Sequence, residues 1–304
     1  MSKTYWAVEK DTEASESCRR NHDGCKVYNN DINELLKRII NGDPTLPKKG
    51  EVDMIVGGPP CQGFSGLNRF QERTKGEETI NALVVTYLSF IDYFKPRFAV
   101  MENVKGLLST AKGSVCALIL STLISIGYQV RLGILNAGQF GLPQSRVRLI
   151  VMASKVGDIL PEFPLPTHSF IIQGARFREI PVALGKSGAQ SAPGVLTTTR
   201  MALSDLPPIN YGASQSSGLS YATEPPSDFA RELRGNQTDV TNHITRDLDA
   251  LNFTRVSSIP REKPGVDWRS LPDNLIPWCL PNTADRHNDW RGLYGRLDWD
   301  GTTT

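Results

Sequence analysis

Cys61 stands in the run EVDMIVGGPPCQGFSG, residues 51–66. A thiolate is a strong nucleophile, but a free thiol is only a few per cent ionised near neutral pH, so nearby positive charge helps it. Glu102 follows an apolar block at 98–101 and is a carboxyl suited to hold a ring nitrogen or its proton. Arg146 and Arg148 are two apart in RVRLIVMAS, a spacing that places both on one face of a strand. The other residues of that strand are apolar, so both guanidiniums border a core, which points to an anionic partner. A nucleophilic thiol, an acid and two cations are the parts needed for covalent addition to a substrate on which charge develops.

The elements around them follow from pattern. Val52, Met54, Ile55 and Val56 alternate too little for a half-wet strand, which predicts a parallel strand buried on both faces. Gly57, Gly58, Pro59 and Pro60 end it, and Cys61 falls on the loop beyond its carboxyl end, where ligands bind in open α/β sheets. An earlier strand at 5–8 ends in Glu9, and a polar helix with Glu13, Ala14, Glu16 and Arg19 follows. A short strand around Val27 leads to Asp31, a helix N-cap before Ile32, Leu35, Leu36 and Ile39 at helical spacing. Two strands each ending in an acid resemble the cofactor half of a doubly wound fold, one acid for ribose hydroxyls and the next for an adenine amino group. Residues 80–94 predict a helix stopped by Pro96, and residues 98–101 a buried strand with Glu102 and Asn103 at its carboxyl end. A helix at 114–126 and a hairpin of 128–135 with 146–153 complete the α/β, doubly wound domain, 1–160. From Pro161 the chain turns rich in Pro, Ser, Gly, Ala and Thr, then dense in Trp, Arg and Asn over 275–301. That change predicts a smaller, loop-rich second domain, 161–304.

Composition narrows the class. With 304 residues, 39% hydrophobic and 22% charged, the chain can bury a real core and has the balance of a globular protein. No apolar run is long enough for a bilayer and no signal-peptide pattern opens the chain, so no membrane partner is expected. Five cysteines, an odd number without metal-ligand spacing, predict a reducing intracellular setting and no disulfide framework. A net charge of +2 neither demands nor excludes nucleic acid, because a cleft needs only local basic groups.

PPCQG, MENV and QSRVR, in this order and near these spacings, resemble three successive motifs of the DNA (cytosine-5)-methyltransferases. DWRSLP, LIPWCLPNTADRHNDW and GLYGRLDWDG resemble the target-recognition domain of the eukaryotic maintenance-type members. The resemblance implies S-adenosylmethionine as cofactor and double-stranded DNA as partner, at hemimethylated CpG, in the nucleus and in epigenetic silencing. It makes Cys61 the nucleophile toward C6 of a flipped cytosine and Glu102 the acid on N3 and the amino group. Arg146 and Arg148 become the active-site arginines, for the base carbonyl and the flanking phosphate. Glu9, Lys10, Asp31, Ile32, Pro60 and Leu83 match cofactor contacts. Gln62 and Ser65 fall on the DNA side of the nucleophile loop. Cys279, Leu280, Trp290 and Leu293 match an apolar pocket for the parental-strand methyl group.

The departures set further expectations. The family's Gly-rich first motif and its last two motifs are not found in the 304 residues, and the recognition loop for the CpG guanine should lie beyond Thr304. The expectation is therefore a catalytic portion lacking a central strand between those of Glu9 and Cys61, and binding its cofactor poorly by itself. The family's zinc cluster is also missing here, since Trp268 runs almost directly into Leu275 and Asn282 stands where a ligand His would be, so no metal is expected. Two other readings stay open: a transfer-RNA cytosine-5 methyltransferase on the same fold, and an inactive remnant that binds DNA or a partner.

Overall fold

A computed structural model describes residues 5–60, 75–170, 192–212, 218–241, 243–245, 247–263, 265–284, 290 and 292–303. They gather into two compact units. The first takes in the described parts of Met1–Leu135 and Val147–Pro164; the second takes in those of Asn136–Arg146, Leu165–Arg178 and Leu184–Thr304.

The first unit alternates strand and helix: β1 (Trp6–Glu9), α1 (Thr12–Asn21), β2 (Lys26–Asn29), α2 (Ile32–Ile40), β3 (Met54–Gly57) and α3 (Lys75–Phe94). β4 (Phe98–Val104), α4 (Ser114–Ser125), β5 (Tyr128–Asn136) and β6 (Val147–Lys155) follow. Local chemistry sets the helix starts. Asp11 caps α1 by accepting from the Ala14 amide, and Asp31 caps α2 by accepting from the Asn33 amide. β1 and β2 form a parallel pair of their own, and a separate four-stranded sheet runs in the order β3-β4-β6-β5. In it β3 and β4 are parallel, and β4 and β6 antiparallel.

Helices cover one side. Val84, Tyr87, Leu88 and Ile91 of α3 and Ile119 and Leu123 of α4 pack on Ala99, Met101, Leu149, Val151 and Ala153 of the larger sheet. A second cluster, Leu35, Ile39, Leu46, Phe90 and Phe94, takes Val8 and Tyr28 from the small sheet and Val52 and Ile55 from the edge of the larger one. α2 and α3 thus hold the two sheets to one core, each buried aliphatic contributing about 1.5–3 kcal/mol.

Three expectations need correction. β3 is buried on one face only: Ile55 faces the core, whereas Met54 is 42% and Val56 65% exposed. Alternate residues point to opposite faces, and no described element covers the second one. β4 does not stop at Met101, because β6 runs beside it as far as the Val104–Arg148 pair; Glu102 and Asn103 are strand residues. β6 begins at Val147, so Arg146 lies just outside it and does not share a strand face with Arg148.

The second unit has short elements: α5 (Thr199–Leu203), β7 (Leu219–Ser220), α6 (Asp228–Arg234), β8 (Asp239–Val240), α7 (Ala250–Ser258) and α8 (Cys279–Asn282). Its core is Ile259, Trp268, Leu271 and Leu280. The β5–β6 connection packs here as well. A side chain on Gly138 would run into the Phe170 ring, and the Gln139 carbonyl accepts from the amides of Thr167 (2.9 Å) and His168 (3.0 Å). Gly141, at φ +93°, would meet His168 at 2.8 Å if it carried a side chain. Among the described residues no helix is long and apolar enough to cross a membrane.

Candidate active site

Cys61, Gln62 and Ser65 lie outside the described residues, but the turn that leads to them is described. A Cβ on Gly57 would come within 2.9 Å of the Tyr87 ring. That ring is buried, its hydroxyl donates to the Val100 carbonyl at 2.9 Å, and burial pushes its phenol well above the usual range. A Cβ on Gly58 would stand 3.2 Å from Glu102 Oε2. Asn103, 3% exposed, donates to the Pro59 carbonyl at 3.0 Å and accepts from the Val104 amide at 2.9 Å. The turn is therefore clasped from β4 on one side and α3 on the other.

Glu102 and Arg148 meet across the sheet. Register pairs Glu102 with Ile150 and Val104 with Arg148, so the acid and the arginine are diagonal neighbours on one face. Arg148 Nε lies 2.8 Å from Glu102 Oε1, and its Nη1 donates to the Val147 carbonyl at 2.9 Å. One carboxylate oxygen is thus held by the arginine while the other lies over Gly58. Arg146 is exposed, and its guanidinium has no partner among the described residues.

The carboxyl ends of β1 and β2 carry a second polar group. Lys10 Nζ contacts Asp31 Oδ2 at 3.2 Å, and the Asp11 amide donates to Glu9 Oε1 at 3.0 Å. The Asn33 amide and then Lys10 hold the Asp31 carboxyl below its usual range. Asn29 ties the strand ends by donating to the carbonyls of Glu9 (3.0 Å) and Lys10 (2.9 Å). Ile32 packs on the shared core, and Asn33 meets Thr86 of α3 at 2.5 Å, one turn past the half-buried Leu83. Pro60 is exposed beyond the end of β3.

In the second unit, Leu280 is 2% exposed and part of the core, and Trp290 packs against that core. The Trp290 indole donates to Thr283 Oγ1 at 2.8 Å, and that hydroxyl donates to the Cys279 carbonyl at 2.6 Å. Leu293, 41% exposed, gives its amide to the Trp290 carbonyl at 3.1 Å and takes the Trp268 amide at 3.0 Å. Cys279 is exposed. The four predicted residues thus lie around one hydrogen-bonded turn, two at the surface and Leu280 beneath it. Among the described residues no three His, Cys, Asp or Glu side chains gather as metal ligands.

Sequence reasoning missed Gly58, Tyr87 and Asn103 as parts of the site. A signal existed for Asn103: it is a polar residue at the core-facing register of β4, and a buried amide needs partners.

The family model for C-5 cytosine-specific DNA methylases matches residues 1–210. The chain is 39% identical to DNA (cytosine-5)-methyltransferase PliMCI of Paracentrotus lividus, across 99% of this chain and 22% of that protein. It is 40% identical to DNA (cytosine-5)-methyltransferase 1B of Oryza sativa and 38% identical to DNA (cytosine-5)-methyltransferase 1 of Mus musculus, with the same coverages of 99% and 22%. The chain thus spans about a fifth of the length of these relatives, 22%. A crystal structure named for a DNA modification methyltransferase encoded in an E. coli prophage superposes with a TM-score of 0.59 at 18% identity, covering 98% of this chain and 74% of that one. With the family model matched over residues 1–210 and identities of 38–40% across 99% of the chain, the chain belongs to the C-5 cytosine-specific DNA methylase family.

Proposed function

We propose that this chain is the catalytic portion of an enzyme that methylates C5 of cytosine in double-stranded DNA, at CpG sites whose other strand is already methylated. The observation that carries the reading is the Glu102–Arg148 pair, set over the Gly58–Pro59 turn that runs into Cys61. In this mechanism the target base leaves the helix. The Cys61 thiolate adds to C6, which gives C5 enamine character and makes it nucleophilic. Glu102 holds N3 and the amino group as charge develops, and Arg148 fixes the carboxylate for that task. Arg146, with a free guanidinium, takes the flanking phosphate. Loss of the C5 proton with expulsion of the thiolate regenerates the ring and the enzyme.

S-adenosylmethionine, when bound, supplies an electrophilic methyl group. The donor set at the strand ends fits it: the Glu9 carboxylate suits two adjacent ribose hydroxyls and Asp31 an adenine amino group. Lys10, Ile32, Pro60 and Leu83 flank them. Cys279, Trp290 and Leu293 form the surface for the parental methyl group, with Leu280 supporting it from the core, and Gln62 and Ser65 are assigned to DNA contact. Action on genomic DNA makes the nucleus the site of work and gene silencing its outcome, and the chemistry needs no metal.

The test is labelled-methyl incorporation into hemimethylated duplex, unmethylated duplex and transfer RNA, alongside covalent trapping on 5-fluorocytosine DNA. Incorporation strongest in the hemimethylated duplex, with trapping abolished by Cys61→Ser, is expected. Incorporation into transfer RNA alone would transfer the reading to that substrate, and trapping that survives Cys61→Ser would remove the nucleophile assignment.

A further inference from the structure

We infer that Thr303 is a positioning residue for Arg146, so that the phosphate-binding arginine is set by the second unit. The inference rests on the role proposed above for Arg146. Thr303 pairs with the Pro143–Ser145 stretch from both sides: its amide donates to the Pro143 carbonyl at 2.8 Å, and its carbonyl accepts from the Ser145 amide at 2.8 Å. Its hydroxyl adds a bond to the Pro143 carbonyl at 3.1 Å. Together they make a parallel bridge between Gln144 and Thr303. Arg146 follows immediately; its amide donates to the Gln144 carbonyl at 3.1 Å and its carbonyl accepts from the Ala137 amide at 3.0 Å.

Every one of those anchors is local to the 136–146 connection, and the connection is seated on Phe170 and His168 of the same unit. Pro143 has a carbonyl but no amide, so this stretch offers the Pro143 carbonyl as acceptor and the Ser145 amide as donor, and Thr303 pairs with both. Arg146 itself has a long side chain with much rotamer freedom and no side-chain partner among the described residues. What fixes the starting point of this side chain is its backbone, and the Thr303 bridge ties the residues just before it, Pro143 and Ser145, from outside the connection. A misplacement of a binding group by about an ångström can cost up to about a hundredfold in rate.

Thr303→Pro removes the donated amide, and Thr303→Ser keeps both the amide and the hydroxyl. Two readouts are needed on the whole chain. In hydrogen exchange, the Ser145 amide should exchange at least about tenfold faster in Thr303→Pro, with the Arg296 amide unchanged as a control on the second unit's fold. In single-turnover methyl transfer on hemimethylated duplex, Thr303→Pro should lower the rate by about tenfold or more with duplex Kd changed less than about twofold. Thr303→Ser should restore it, and Thr303→Pro on an Arg146→Ala background should add nothing further. Unchanged Ser145 exchange would overturn the inference even if the chain shows no turnover. So would full additivity with Arg146→Ala. If Arg146→Ala alone leaves the rate intact, the phosphate role fails instead, while the exchange result still decides the bridge.

Discussion

At the scale of single residues, the site depends on small groups as much as on reactive ones. Gly58 leaves room for a carboxylate oxygen, so Gly58→Ala should displace Glu102 rather than unfold the protein. The expected outcome is a rate of methyl transfer lower by about tenfold or more with a nearly unchanged melting temperature, read by single-turnover kinetics beside calorimetry. Gly57→Ala should behave in the opposite way, because the Tyr87 ring is buried and tethered and cannot yield; a stability loss of about 1–3 kcal/mol in urea unfolding is expected. Asp267 allows a pH test. Burial alone would raise its carboxyl, but Arg269 at 2.8 Å and the Gly292 and Arg269 amides outweigh that and hold it below the usual range. The folded state then binds this proton less readily than the unfolded one, so its stabilisation is full above the ordinary carboxylate range and is lost as pH falls through it. Asp267→Asn should cost about 1–3 kcal/mol at neutral pH and progressively less below that range. A difference independent of pH would show that the charge is not what matters.

Between elements, the feature that bears on the proposed cofactor site is the break between β1 and β3. Glu9 and Pro60 stand at the ends of strands in different sheets, joined through α2 and α3 but, among the described residues, by no ladder of hydrogen bonds. A ligand touching both must order that spacing as it binds, which weakens affinity. Calorimetry should therefore show no saturable S-adenosylmethionine binding in the micromolar range; a micromolar Kd would mean that the helices alone fix the gap. The exposure of Val56 gives an independent check, since Val56→Thr should change stability by less than about 0.5 kcal/mol, whereas a doubly buried position would lose more. Most of these elements were legible in the sequence. The Asp31 cap, the short strand at Val27 and the helix before Pro96 follow from local chemistry and periodicity. What was not legible was decided by neighbours: the extra length of β4 comes from β6 beside it, and the bare face of β3 from what does not cover it. An apolar run reports what a strand could bury, not what is present to bury it.

Over the whole molecule, the two units trade chain more than once. The 136–146 connection belongs by packing to the second unit, an allegiance invisible in its own residues because Phe170, His168 and Thr303 create it from far along the sequence. The family's motifs were readable as local strings, while the seat of QSR required the tertiary contacts. A fragment cut at the composition change, 161–304, should accordingly be more susceptible to protease than the same residues in the full chain, because Phe170 and His168 lose their glycine-lined cover. Equal resistance would show that the seat contributes little. The open edge of β3 has a consequence of another kind, for behaviour in bulk. Among the described residues no strand pairs with its outer side, beside exposed Met54 and Val56, and such an edge is a template for the same edge of another copy. Concentrated solutions of this chain should cloud with time in a second-order manner, and a lysine in place of Val56 should keep them clear, making solubility rather than folding the first property that this edge controls.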